Sequence, residues 1–321
     1  MRYRRLGSSG LKVSEVSLGS WRTFGNTVDQ DTTTACMIAA YDAGVNFFDG
    51  AEVYAGGSAE EAMGRVLREQ AWARDSLVIS SKVMPHGDNE GRRQRSLSRK
   101  HLVEACDDAL RRLGLDYLDL FFCHRPDPHT PMEETVRTMN ELILRGKILY
   151  WGTSQFSGAE VMEAHAVAAR FGLIGPTMEQ PVYNMFARKQ VEQELKLPIA
   201  RYGLGTTVWS PMDVGFLSGK YNDGIPEDSH GGRMDPEKKQ SFLREEKIAK
   251  SRKLAVVAGE LGIPQARLAL AWCLKNPGVS TVITGASRPS QVEENVQAVA
   301  DVDLLDDAVM ARIEAILSGE A

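Results

Sequence analysis

Short apolar runs and longer amphipathic stretches alternate along this chain, in the cadence of strand, helix, strand. Runs at 46–49, 77–83, 117–123, 148–152, 177–179, 206–209 and 281–283 are each too short for a helix and suited to a buried strand. A piece at 13–21 supplies an eighth, and the Gly7-Ser8-Ser9-Gly10 turn before it predicts a hairpin within residues 2–20. Helical patterns fill most of the gaps. One begins at Asp31 and stops at Gly44, where a glycine can take the left-handed conformation that closes a helix. Another begins near Ser98 and sets Val103, Cys106, Leu110 and Leu113 on one face, at steps of three and four. Ser/Thr-x-x-Glu pairs at Ser58/Glu61, Thr130/Glu133, Ser157/Glu160 and Ser290/Glu293 mark four helix starts as capping boxes. A last amphipathic helix is expected at 306–317.

Eight strands alternating with helices predict an α/β fold, a (β/α)8 TIM barrel with an N-terminal β-hairpin and an extra C-terminal helix. No linker or composition shift divides the 321 residues, so residues 1–321 read as a single domain. An open doubly wound sheet that binds a dinucleotide would carry Gly-x-Gly-x-x-Gly after its first strand. The nearest match, Gly203-Leu204-Gly205, has Val208 in the third glycine's place. Residues 211–247, rich in Gly, Asp, Lys and Pro, form a long interval of the kind that builds functional lids. Within it, Gly215-Phe216-Leu217-Ser218-Gly219-Lys220 has three residues between its glycines where a phosphate-binding P-loop has four, so that reading is set aside.

Composition narrows the class. With 43% hydrophobic and 25% charged residues and a net charge of −5 spread through the chain, the sequence has the balance of a globular protein with no nucleic-acid or anionic-membrane partner. The basic run Arg92-Arg93-Gln94-Arg95, with Arg99-Lys100 after it, lacks interleaved aromatics and reads as a solvated loop before a helix. Cys36, Cys106, Cys123 and Cys273 are far apart in apolar surroundings, which predicts buried thiols in a reducing compartment; no spacing suits a structural metal. The N-terminus lacks a signal-peptide core and no apolar run approaches the roughly 20 residues of a membrane span, so the expected address is cytoplasmic, without membrane insertion.

The chemistry lies at strand ends. Asn46-Phe47-Phe48-Asp49-Gly50-Ala51-Glu52-Val53-Tyr54 ends a strand in a carboxylate and then presents a phenol, and two later strands end at Lys82 and His124. In parallel α/β folds the carboxyl ends of the strands collect binding and catalysis, so these four groups should meet. Taken singly, Asp49 or Lys82 is half of a buried ion pair and Tyr54 ordinary packing; their joint placement is what points to a site. A phenol has an ordinary pKa near 10, and a neighbouring ammonium lowers it. Lys82 is expected to supply that charge, Asp49 to orient Lys82, and His124 to aim a carbonyl oxygen at Tyr54, a proton relay suited to carbonyl reduction.

These residues carry a resemblance. Asp49 to Tyr54 resembles the signature segment of the aldo-keto reductases; Lys82 and His124 fill that family's remaining catalytic positions; and Gly285-Ala286-Ser287-Arg288 resembles its adenosine-phosphate segment. The likeness runs from Arg2 to Leu317. Arg125-Pro126-Asp127-Pro128 and Leu217-Ser218-Gly219-Lys220-Tyr221 are most similar to the branch holding the potassium-channel β subunits and their bacterial relatives. The resemblance implies NADPH bound in an extended pose without a Rossmann motif, and hydride transfer to the aldehyde or ketone of a small-molecule substrate. It implies nicotinamide contacts from Ser154, Gln155, Gln180 and Trp209, and a pyrophosphate side at Ser210 and Pro211. Lys220 and Arg233 would reach the phosphates from the lid, and Gly285, Ser287, Arg288, Gln291, Glu294 and Asn295 would surround the adenosine end. Arg288 is the residue for the 2′-phosphate, which sets a preference for NADPH over NADH. Trp21 joins the cofactor set and, with Tyr54, Met84, Trp209 and the lid, an apolar pocket for small or aromatic aldehydes; Arg22 and Arg125 leave room for an anionic tail.

Two positions depart from the family pattern. Gly50 stands where threonine is usual, so a hydroxyl that supports Asp49 is expected to be missing. His124 stands where the channel subunits have asparagine, which favours a working reductase over the alternative of a redox-sensing accessory subunit of a membrane channel. The start of the chain almost at its first hairpin is a second expectation against that alternative. The branch often forms rings of subunits, so a homo-oligomer is compatible with the resemblance.

Overall fold

Along each core strand, alternate side chains point to opposite faces, and that period of two decides what fills the barrel and what reaches its mouth. The computed structural model describes residues 1–85, 95–227, 229, 231, 232, 234, 235, 237 and 242–320. Arg92, Arg93 and Gln94 of the basic run, and Arg233, lie outside the described residues. A hairpin of β1 (Tyr3–Arg5) and β2 (Lys12–Ser14) precedes eight barrel strands. These are β3 (Val16–Gly19), β4 (Phe47–Asp49), β5 (Val78–Val83), β6 (Leu118–Cys123), β7 (Ile148–Ser154), β8 (Met178–Gln180), β9 (Gly205–Trp209) and β10 (Thr281–Thr284). They pair in parallel in chain order, and β10 closes on β3. This is the expected (β/α)8 barrel with its N-terminal hairpin.

Phe47, Val78, Leu120, Phe122, Met178 and Ile283 pack in one apolar cluster with Leu6 and Val13 of the hairpin. That cluster fills the barrel's lower interior. Asp49, Lys82, His124 and Gln180 lie two or four residues beyond Phe47, Val78, Phe122 and Met178, so parity carries them onto the same inner side, one layer higher. The hairpin is held against the base by Arg4, which donates to the Leu274 carbonyl at 2.7 Å and to Glu15 at 2.6 Å. Its turn permits only glycine at residue 7: φ is +58°, and a Cβ would sit 2.1 Å from the Gly203 carbonyl oxygen. The expected continuous piece at 13–21 is broken at Glu15, whose carboxylate holds both Arg2 and Arg4 where the hairpin gives way to the barrel.

The helices are α1 (Gln30–Asp42), α2 (Ser58–Gln70), α3 (Arg99–Leu113), α4 (Met132–Leu144), α5 (Gly158–Phe171) and α6 (Lys196–Tyr202). They are followed by α7 (Glu245–Glu260), α8 (Gln265–Lys275), α9 (Pro289–Asp301) and α10 (Asp307–Ser318). Both α7 and α8 fall between β9 and β10, so α7 is an extra helix that packs with the C-terminal α10 through a shared apolar cluster including Leu254, Val257, Ile313 and Ile316. Of the four expected capping boxes only Ser157/Glu160 forms, with Ser157 Oγ accepting from the Glu160 N–H and Glu160 accepting from the Ser157 N–H. Gly57, at φ +98°, caps α2 ahead of Ser58. The Thr130 hydroxyl is spent on Asp127 at 2.6 Å, and Pro289 moves the start of α9 back to Arg288. The α3 face is also rotated from the expected one: Leu102, Ala105, Cys106, Ala109 and Leu113 are buried while Val103 and Leu110 sit at the margin. Small alanines let the barrel approach there more closely than the larger residues would.

The interval 211–247 is built into the fold at its start. Phe216, Leu217 and Tyr221 are fully buried, and Phe216 meets Tyr221 at 5.7 Å and Phe242 at 5.6 Å. All four cysteines are buried free thiols, and burial pushes Cys36 up to about 11 and Cys106 to about 12, so neither is a thiolate at neutral pH. No single helix among the described residues is long and apolar enough to cross a membrane.

Candidate active site

Lys82, one residue before the end of β5, lies inside the barrel with no exposed surface, a placement that a charged side chain tolerates only with partners. Its Nζ donates to Asp49 Oδ2 at 2.6 Å, to the Gly50 carbonyl at 2.7 Å and to the Tyr54 hydroxyl at 3.3 Å. Tyr54 opens a short 3-10 turn, Tyr54–Gly57, in which Ala55 (φ +51°) and Gly56 (φ +62°) adopt left-handed conformations. The His124 ring stands edge-on to Tyr54 with centroids 5.6 Å apart, and its buried Nδ1 has no hydrogen-bond partner. The four predicted groups are therefore together.

The hydroxyl expected to be lost with Gly50 is supplied from elsewhere. Asp49 Oδ1 accepts from Ser80 Oγ at 2.7 Å and from Gln180 Nε2 at 3.1 Å, so both carboxylate oxygens are fixed. A Cβ at residue 50 would lie 3.1 Å from the Ser80 carbonyl oxygen, a tight fit beneath the site.

Electrostatics correct one expectation. Burial, and after it the Asp49 charge, push the Tyr54 phenol well above its ordinary value, with Arg125 opposing. The net shift is therefore upward, where a lowering by Lys82 was expected. Burial also lowers Lys82, against the attraction of Asp49. His124 is pushed down to about 2 by burial, then by Lys82 and Arg125, so its ring is neutral throughout the physiological range.

A cleft of about 740 Å³ opens over these groups at the carboxyl ends of the strands. Asp49, Tyr54 and His124 line it, with Trp21, Met84, Arg22 and Arg125 around them. Ser154, Gln180, Trp209, Ser210, Pro211 and Lys220 line the middle, and Gly285, Ser287, Arg288, Gln291, Glu294 and Asn295 the far end. Gln155 is the exception. Its backbone is left-handed (φ +60°), and its amide oxygen accepts from the Val182 N–H at 2.6 Å and the Trp209 indole N–H at 3.0 Å. It anchors Trp209 from behind instead of facing the cleft.

At the far end Arg288 caps α9 and is exposed; its Nε donates to Ser290 Oγ at 3.2 Å, and no carboxylate pairs with it among the described residues. Gln291 Oε1 accepts from the Ser287 N–H at 2.8 Å and so shapes the loop beside it. In the lid, Lys220 Nζ lies over Gly215, where a Cβ would come within 2.4 Å of it, so the glycine is what lets the ammonium approach the backbone. Sequence reasoning missed Pro264 and Ala266 at the start of α8 and Thr284 at the end of β10, which also line the cleft. Nothing in residue type or spacing marks Pro264 or Ala266; Thr284 was discoverable as one more strand end.

A family model described as the aldo/keto reductase family matches residues 15–318. Among curated relatives, a probable voltage-gated potassium channel subunit beta of Arabidopsis thaliana is 47% identical, covering 100% of this chain and 98% of the relative. Its namesake from Oryza sativa subsp. japonica is 46% identical with the same coverage. A putative voltage-gated potassium channel subunit beta of Schizosaccharomyces pombe is 44% identical, covering 98% of this chain and 93% of the relative.

Proposed function

The chain belongs to the aldo/keto reductase family, and from that premise we propose that it reduces aldehydes and ketones to alcohols with NADPH, with Tyr54 as the general acid. The observation that carries the reading is the buried Lys82 ammonium, fixed by Asp49 and donating to the phenol of Tyr54 at 3.3 Å. When Tyr54 gives its proton to a carbonyl oxygen, the phenolate left behind faces that ammonium, so the charge that develops is stabilised where it appears. His124, neutral and with an unpartnered nitrogen, is suited to hydrogen-bond the same oxygen. A purified protein that oxidises NADPH with no aldehyde in a broad panel would overturn the reading.

The cleft fits a nicotinamide dinucleotide in size and lining. It is larger than a small carbonyl compound needs, and it joins the catalytic groups to a guanidinium that no carboxylate pairs with among the described residues. The bound cofactor would supply the hydride. Ser154 and Gln180 would hold its carboxamide, Trp209 its ring, Lys220 its phosphates, and Arg288 with Gln291, Glu294 and Asn295 its adenosine end. The reading places the protein in the cytoplasm as one barrel domain.

Two expected results test these roles. A 2′-phosphate accepts paired, charge-assisted hydrogen bonds from a guanidinium, and at the start of α9 it also meets the positive end of the helix dipole. Arg288→Ala should weaken NADPH binding by about 1.5–3 kcal/mol, or roughly ten- to a hundredfold, and leave NADH little changed in fluorescence titration. Equal affinity of the unmutated protein for both cofactors sinks the assignment. Because His124 is already neutral, kcat/KM should show no acid limb near the ordinary histidine value of about 6.5. An inflection there that disappears in His124→Asn would contradict its proposed neutral state.

The names of the relatives favour a second reading, an accessory subunit of a membrane potassium channel whose own chemistry is slow. Stable co-purification with such a channel, together with turnover of only a few per hour, would place this reading first.

A further inference from the structure

Arg125 follows His124 at the mouth of the barrel, half-buried in the wall of the cleft. Its Nη1 donates to the His124 carbonyl at 2.5 Å and to Ser154 Oγ at 3.3 Å, both neutral acceptors. Among the described residues no carboxylate forms an ion pair with it. Other partly buried arginines meet one: Arg4 with Glu15, Arg74 with Asp119, Arg112 with Glu60 and Arg267 with Asp301. Nor is its charge balanced within the site. Asp49 is engaged by Lys82, Ser80 and Gln180, which leaves the floor of the cleft with one positive charge in excess. The nearby Glu179 is spent on the Thr153 hydroxyl and the Phe156 N–H, burial raises it to about 8, and its attraction to Arg125 acts without a direct contact. A guanidinium left without a counter-ion in a partly desolvated wall is costly, and a carboxylate engaging its two remaining nitrogens relieves that cost.

We propose that Arg125 is a carboxylate subsite at the substrate end of the cleft, so that the preferred substrates are aldehydes bearing a carboxylate within reach of it. The inference rests on the reductase reading and names the substrate class of the same site. Trp209, whose ring centre lies 5.9 Å from the Arg125 guanidinium, supplies an apolar face for the carbon chain between aldehyde and acid. The acid lowers KM by its ion pair, while the proton still comes from Tyr54.

The test compares 4-formylbenzoate with methyl 4-formylbenzoate, and 4-oxobutanoate with methyl 4-oxobutanoate, in steady-state NADPH oxidation. The acids should show the higher kcat/KM, through KM, and the acid-to-ester ratio should fall roughly ten- to a hundredfold in Arg125→Gln, with part of it kept in Arg125→Lys. A second measurement needs no turnover: benzoate, unlike benzamide, should quench tryptophan fluorescence through Trp209, and Arg125→Gln should abolish the difference. Acid-to-ester ratios near one, or ratios that Arg125→Gln leaves unchanged, overturn the subsite while the reductase reading stands. Benzoate binding that depends on Arg125, in a protein that oxidises NADPH with no aldehyde in a broad panel, upholds the subsite and removes the reductase reading.

Discussion

Replacing Tyr54 with phenylalanine should lower kcat by about a hundred- to ten-thousandfold, the range that a positioned general acid contributes, and leave NADPH affinity little changed. The substitution is local. Phenylalanine keeps the ring that stands edge-on to His124, and Lys82 keeps Asp49 at 2.6 Å and the Gly50 carbonyl at 2.7 Å, so no buried charge is stranded. What disappears is the hydroxyl that Lys82 meets at 3.3 Å. Single-turnover NADPH oxidation isolates the chemical step, and fluorescence titration reads the cofactor. A variant whose chemical step slows less than tenfold would show that another group delivers the proton. Loss of cofactor affinity alongside turnover would point to collapse of the turn at Ala55 and Gly56 instead.

The barrel and its four polar strand ends were legible because both follow from local, periodic signals. Apolar runs of strand length marked the eight staves, and the gathering of chemistry at the carboxyl ends of parallel strands brought Asp49, Lys82 and His124 together before any contact was known. What escaped depends on segments far apart in the chain. Asp49 is held by Ser80 and by Gln180, 31 and 131 residues away, and no spacing rule reveals that these replace a hydroxyl at position 50. Gln155 was expected to face the nicotinamide on family likeness; its left-handed backbone turns it toward Val182 and Trp209. The capping boxes failed for a different reason. Ser58, Thr130 and Ser290 carry the right side chains, but Gly57, Asp127 and Pro289 compete for the same turns, and a local motif does not say which competitor wins.

Asp49→Ala should destabilise the protein by about 3–5 kcal/mol, the cost of removing one partner from a buried ion pair. Lys82 has no exposed surface, and its remaining contacts, the Gly50 carbonyl and the Tyr54 hydroxyl, carry no charge to offset the ammonium. The variant therefore either buries an uncompensated charge or folds with Lys82 deprotonated. Burial already lowers the Lys82 pKa in the intact site and Asp49 opposes it, so removing Asp49 lowers it further. The sign of the pH dependence follows. Between the depressed folded value and the ordinary lysine value of about 10.4, the unfolded chain binds the proton that the folded chain has lost, so stability rises with pH across that window. The deficit of Asp49→Ala relative to the unmutated protein should thus be largest below the variant's folded Lys82 value and shrink with rising pH up to the intact protein's own depressed value, above which both gain equally. Adding Lys82→Met should recover much of it, since the stranded charge is then gone. Urea unfolding at several pH values measures each of these. An Asp49→Ala deficit that is constant with pH, or that Lys82→Met does not reduce, would mean that Asp49 stabilises the fold through Ser80 and Gln180 and not through the Lys82 ammonium.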